Sequence, residues 1–73
     1  MEHVIVRYPE TRDVFVDDQQ VGKTNQTLDI ETGHHTFALD GPADYTPPSQ
    51  TVAVTGTNPI IPMEIVFLPV GGA

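Results

Sequence analysis

Short runs of alternating apolar residues, each closed by proline or glycine, constrain this chain more than any other feature. Seven prolines and six glycines are spread over 73 residues, and no stretch shows a helical period of useful length. Because proline cannot extend a strand ladder and glycine weakens it, the elements between them must be short strands. The pattern predicts one all-β domain over residues 1–70, a small antiparallel β-sandwich of about seven short strands, with residues 71–73 as a flexible tail.

The predicted strands follow the alternation along the chain, at residues 3–8, 13–17, 20–23, 26–30, 34–39, 51–55 and 60–68. The second and third should form a hairpin, because Asp17-Asp18 tolerates turn geometry, and Gly22 should relieve a bulge or a close approach. The fourth and fifth should form a second hairpin around Glu31-Thr32-Gly33. Pro62 lies within the last run and marks an edge position or a bulge.

The expected core consists of apolar side chains that share the inward faces of these strands. A chain this short must use nearly every apolar residue in one core. The set is Val6, Val14, Val16, Leu28, Ile30, Phe37, Leu39, Val52, Val54, Ile61, Ile65 and Phe67.

Composition excludes several classes of function. Ten carboxylates against three basic residues give a formal charge of −7, which repels nucleic acid and anionic lipid surfaces. The absence of cysteine rules out disulfides and thiolate metal sites. No window approaches the roughly 20 apolar residues of a membrane span, so membrane insertion is not expected. The start of the chain lacks the features of a signal peptide, and cysteine usage leaves the compartment open.

Several short motifs resemble those of the PEGA domain, a small all-β module of bacterial and archaeal proteins named for a Pro-Glu-Gly-Ala stretch. The matching residues are Pro9-Glu10, then Val14, Val16 and Asp17, then Gly22-Lys23-Thr24, then Leu28, Ile30, Gly33, His35, Phe37 and Leu39, and finally Tyr45. The chain departs from the pattern at Thr11-Arg12 (Gly-Ala in the family), Asp18 (Gly), Asn25 (Pro) and Asp44 (Gly). Aspartate and asparagine tolerate positive φ, so two of these replacements suit the same backbone.

The resemblance implies a transthyretin-like or immunoglobulin-like sandwich. It also implies an extracytoplasmic or cell-surface accessory domain, often attached to other domains, with no catalytic residues and no cofactor. It carries no functional residue over to this chain, since each matched position has an explanation in turn geometry, core or packing.

Metal sites are not expected. His34 and His35 are adjacent on a strand, so their side chains leave opposite faces and cannot chelate one ion together, and His3 would have to come from another strand. Asp13, Asp17 and Asp18 are expected around one turn, where weak Ca²⁺ contact is the alternative to solvated turn formers.

An enzyme is not expected either. Ser49 is the only serine and has no Gly-x-Ser-x-Gly elbow around it. Carboxylate pairs for glycoside hydrolysis arise by chance among ten acidic residues, and so small a domain offers no cleft around them.

The remaining hypothesis is a non-catalytic module for protein association that uses a sheet edge and the loop at residues 40–49. In that loop Tyr45, Pro47 and Pro48 are the candidate binding residues, although Tyr45 also suits a packed residue that fastens the loop to the sheet. The alternative is a carbohydrate or cell-wall polymer binding module, for which exposed Tyr8 or Tyr45 would provide stacking. Few aromatic residues and no tryptophan favour a protein partner.

Overall fold

The computed structural model describes residues 1–42, 44–58 and 60–70, and the expected tail at 71–73 lies outside them. Within this part the chain forms nine strands and no helix, which confirms the all-β prediction. Two of the nine are two-residue strands that the alternation did not indicate. The strands are β1 (Glu2–Arg7), β2 (Asp13–Val16), β3 (Gln19–Lys23), β4 (Thr27–Ile30), β5 (Gly33–Leu39), β6 (Tyr45–Thr46), β7 (Gln50–Val54), β8 (Met63–Val66) and β9 (Leu68–Pro69).

Two sheets pack face to face as a small sandwich. One has the order β4-β1-β8 and the other β3-β2-β5-β7, while β6 and β9 form a separate two-stranded ribbon. Every pair is antiparallel except β1 and β8, which run parallel with Val4 opposite Met63. The parallel pair arises because the chain crosses from β7 in one sheet to β8 in the other, so that β8 runs in the same direction as β1.

The first predicted hairpin is confirmed, and the backbone geometry of its turn explains why aspartates occupy both turn positions. Asp17 and Asp18 both have positive φ, 52° and 66°, as a hairpin turn that matches strand twist requires. The β2–β3 register shifts by one residue, which leaves Val21 as a bulge. Gly22 relieves a close approach, the second of the two roles expected of it, since a Cβ at this position would overlap Leu28 Cδ2.

The second predicted hairpin is wrong. β4 pairs with β1, and β5 pairs with β2 and β7, so the chain changes sheet at Gly33, where φ is +137°. Leu28 of β4 and Phe37 of β5 are both buried in the one core, although they belong to different sheets. Alternation identified the inward faces correctly but not the sheet to which each strand belongs.

The expected core is buried apart from Val52, which is half-buried, and Ile61, which is 70% exposed. The last strand begins at Met63 rather than at residue 60, because Pro62 lacks the N–H that a ladder needs. Asn58 Oδ1 accepts the N–H groups of Ile60 and Ile61, both at 2.9 Å, and holds that segment as a turn. Val4, Ile5 and Tyr8 are buried in addition.

Candidate functional site

The two long sides of the sandwich are closed to different extents. On the β3–β4 side, Gly22 lets Leu28 approach closely, and the inward residues Leu28 and Ile30 are 6% and 4% exposed. On the β7–β8 side, the inward residues Val52 and Met63 contact the core but stay half-buried. We name this side, formed by β7 and β8 with Val52 and Met63 between them, the open rim.

The peptide groups of β7 alternate between β5 and the outside of the sheet. The peptide of Thr36 faces β2, where its carbonyl accepts an N–H of the hairpin turn at 2.9 Å. The peptide groups of the preceding residue, His35, therefore face β7, where His35 lies opposite Val52. Since β7 is the last strand of its sheet, the N–H and C=O groups of Thr51 and Ala53 point away from it.

The other three edge strands carry features that discourage pairing with another chain, and β7 does not. β3 contains the bulge at Val21, and β4 carries the exposed Asp29. β8 follows Pro62, and its Val66 carbonyl accepts a hydrogen bond from the Gln50 side chain at 2.7 Å. β7 has no proline, no charged residue and no register shift. It is the least protected edge of the sandwich.

Tyr45, one of the three predicted binding residues, completes the hydrogen bonding of the sheet just before β7 begins. Its hydroxyl donates to Leu39 O at 2.8 Å and accepts from Leu39 N at 3.3 Å. Continuing the β5–β7 register by two residues places Pro48 opposite Leu39, and proline has no N–H to donate. The half-buried ring makes edge-to-face contacts with Tyr8 and Phe67. These contacts give Tyr45 a structural role.

Pro47 and Pro48, the other two predicted binding residues, are exposed and lie immediately before β7. The Thr46–Pro47 peptide bond is cis. The structure thus places both prolines at one end of the open rim, beside Gln50. Tyr45 is directed away from them toward the core.

The buried guanidinium of Arg12, whose side chain is 13% exposed, fastens the loop before β6. It donates to Asp40 O and Pro42 O at 3.2 and 3.3 Å, to Asp44 Oδ2 at 3.0 Å and to Glu10 Oε2 at 2.9 Å. The hydrogen bond to Asp44 is the main cause that raises the Arg12 pKa above its usual value. In the sequence, Arg12 and Asp44 stand out only as departures from the PEGA pattern, although their opposite charges are a signal that they pair.

Glu2 fixes the crossing segment that leads to β8. Its carboxylate accepts the Thr32 hydroxyl at 2.6 Å, and it accepts both the hydroxyl and the N–H of Thr57 at 2.7 and 2.9 Å. These bonds, the Thr32 bond first, lower the pKa of Glu2 to about 2. The start of β1 is thereby tied to the segment that follows β7.

His35 is half-buried and bridges two parts of the chain. Its Nδ1 lies 2.7 Å from Asp17 Oδ2, and its Nε2 lies 2.7 Å from the Glu31 carbonyl oxygen. Because both partners are acceptors, both ring nitrogens must carry protons, so this geometry requires the imidazolium form. The hydrogen bond to Asp17 is the main cause that raises the pKa of His35.

The structure does not bring together the histidines and aspartates that were weighed as metal ligands. Asp13 lies at the opposite end of β2 from the Asp17-Asp18 turn, about 13 Å away at the rise of a strand, and pairs with Lys23 at 2.6 Å. The expectation that the three aspartates surround one turn is therefore wrong. His3 contacts Asp29 at 3.1 Å. Within the described ranges, no group of three or more histidines and carboxylates is arranged to hold a metal ion.

All five aromatic residues fall in the described part of the chain, and none of their rings is exposed. Tyr8, which would provide stacking in a carbohydrate site, is 5% exposed. Its hydroxyl donates to the Asp44 carbonyl at 3.3 Å. The surface therefore offers no flat aromatic ring on which a sugar would stack.

Among the described residues there is no helix long and apolar enough to cross a membrane. Comparison with protein-family models, with curated proteins and with solved structures found no match to this chain. The open rim, with its unpaired β7 edge, is therefore the candidate functional site on geometry alone.

Proposed function

We propose that this domain is a non-catalytic module that associates with another protein through the open rim. The observation that carries the proposal is the half-burial of Val52 and Met63. Both point inward and contact the core, so their remaining exposure comes from a missing cover rather than from an outward orientation. Covering them removes apolar surface from water, which is favourable by roughly 25 cal/mol per Å².

Further exposed apolar residues lie close in sequence to β8, one of the two strands of the open rim. Five of the seven large exposed hydrophobic residues fall between residues 60 and 70, in and around β8 and β9. Ile60 and Ile61 are 89% and 70% exposed just before β8, and Leu68 is 57% exposed beyond its end. Exposed apolar groups concentrated in one region are typical of association surfaces.

The resemblance to PEGA domains agrees with this proposal, because that family implies an accessory domain attached to others, without catalytic residues. Carbohydrate binding is less favoured, since the aromatic rings that it needs are buried or half-buried. A charged ligand surface such as nucleic acid is disfavoured by the formal charge of −7.

The test is capture of partners from an extract of the native source, with two matched variants. Ala53→Glu places a charge on the exposed face of β7, and Val21→Glu places the same charge on the exposed residue of the opposite edge. The proposal expects a protein that is retained by the parent and by Val21→Glu but lost with Ala53→Glu. Equal retention by all three forms contradicts it. Binding to a glycan array that Ala53→Glu leaves unchanged would favour the carbohydrate alternative.

A further inference from the structure

We infer that the partner of β7 is a second copy of this chain, paired antiparallel to the first through β7 about a twofold axis at Val52. This inference rests on the proposed function and names the partner. It joins the two four-stranded sheets edge to edge into one continuous sheet of eight strands.

The backbone of β7 is self-complementary in that arrangement. With the axis at Val52, Thr51 of one copy lies opposite Ala53 of the other, and Ala53 lies opposite Thr51. These are the two residues whose peptide groups point away from β5. Each opposed pair exchanges two N–H to C=O hydrogen bonds, so four form in all. A register displaced by one residue would oppose peptide groups that point back toward β5.

The side chains fit the same register. Val52 meets Val52 of the second copy on the inner face, where each is half-buried in the single chain. On the outer face Thr51 and Ala53 are small and exposed, so neither obstructs the approach. The contact therefore covers part of the open rim of both copies at once.

The strands at this edge carry no negative charge that would oppose a second copy. Two copies that each carry −7 repel one another. β5 and β7 contain none of the ten carboxylates, so the copies can approach here without opposing like charges. The residual repulsion is screened by salt, since the Debye length falls from about 30 Å at 0.01 M to about 3 Å at 1 M. Association should strengthen as salt is raised.

The decisive variant is Ala53→Pro, which removes an outward N–H. Proline is tolerated on an edge strand where that group faces solvent, and the β5 ladder uses the neighbouring residues instead. Ala53→Val is the matched control, because it keeps the N–H and suits a strand. Sedimentation velocity of the purified chain up to about 1 mM should show the mass rise from 7.9 kDa toward twice that value for the parent and for Ala53→Val. Ala53→Pro should stay a monomer.

A second measurement does not require the Ala53→Pro variant to fold. The chain has no cysteine, so Val52→Cys introduces one thiol. In the proposed register the two Val52 residues form a non-hydrogen-bonded pair with Cα atoms about 4.5 Å apart, within disulfide reach. Mild oxidation should link Val52→Cys into dimers at least tenfold faster than Val21→Cys, whose thiol lies on the opposite edge.

Three results would overturn the inference: a parent chain that stays monomeric at all concentrations and salt levels, dimerisation of Ala53→Pro equal to that of Ala53→Val, or equal oxidation of the two cysteine variants. A monomeric parent whose capture of an extract protein is still abolished by Ala53→Glu would show a foreign partner at β7. That outcome rejects the second copy and leaves the proposed function in place.

Discussion

The guanidinium of Arg12 lies 3.0 Å from the carboxylate of Asp44 and closes the loop before β6 over the Tyr8 ring, 5.3 Å from its centroid. In the PEGA pattern that the sequence resembles, these two positions hold alanine and glycine. Their contact makes the two departures one structural unit. The loop is consequently held by side-chain hydrogen bonds rather than by a glycine turn of the kind that the family pattern implies.

Arg12→Ala should lower the melting temperature by several degrees and speed amide hydrogen exchange at residues 40, 41 and 44. One side chain holds two loop carbonyls and two carboxylates, and all four partners lose their donor. Arg12→Lys should not restore stability, because a single ammonium lacks the fork geometry. Arg7→Ala is the control, since the Arg7–Glu64 pair is exposed on both sides. Equal melting of the Arg12 and Arg7 variants would contradict the role of Arg12.

Tyr45→Phe should destabilise the domain by about 1 to 3 kcal/mol, the cost of leaving a buried peptide without its partner. The ring stays in place, so only the two hydrogen bonds to Leu39 are lost. Pro48→Ala, at an exposed position of the same loop, should change stability by less than about 0.5 kcal/mol. Urea unfolding monitored by circular dichroism gives both values. A Phe variant as stable as the parent would show that Leu39 finds another partner.

Phe37→Ala should cost about 3 to 5 kcal/mol, since Phe37 is fully buried. Ile61→Ala should cost less than about 0.5 kcal/mol, because Ile61 is exposed despite its place in the expected core. Thermal melts of the two variants side by side measure the contrast. A large loss of stability with Ile61→Ala would instead support the longer last strand, beginning at residue 60, that the alternation predicted.

Stability should fall as pH rises above neutrality, because the hydrogen bonds of His35 need the imidazolium. The pKa of His35 is raised in the folded chain, so its contribution is fully present below the ordinary value of 6.5 and is lost as pH rises through the folded pKa. The Thr36 N–H and then His35 lower the pKa of Asp17, so its contribution is present above 3.8 and is lost as pH falls through the folded pKa. Both contributions are therefore complete between about 3.8 and 6.5.

The measurement is the unfolding free energy in urea between pH 5 and pH 9, taken as a slope. His35→Gln should flatten that slope, whereas His34→Gln should leave it unchanged, because His34 is exposed on the other face of the strand. A slope that is the same in all three proteins would show that His35 does not titrate with folding.

Local chemistry alone determined a large part of this structure. The Asp17-Asp18 turn follows from side chains that tolerate positive φ, and the inward faces of β2, β4 and β5 follow from the alternation of their residues. Gly22 was recognised as the site of a bulge or a close approach because glycine weakens the interior of a strand. Each of these features depends on residues a few positions apart, which is the range over which sequence pattern acts.

Only the tertiary structure decided which strands are neighbours. Alternation shows that Leu28 and Phe37 point inward. Two strands can bury their inward side chains equally well as neighbours in one sheet or as members of two different sheets. The choice is made by long-range pairing, β4 with β1 and β8 parallel to β1. The hydrogen bonds between the Tyr45 hydroxyl and Leu39 are a consequence of that pairing, and so is the partial exposure of Val52. The open rim exists because β7 and β8 are the last strands of their sheets, a property of the assembled sandwich rather than of either strand's own residues.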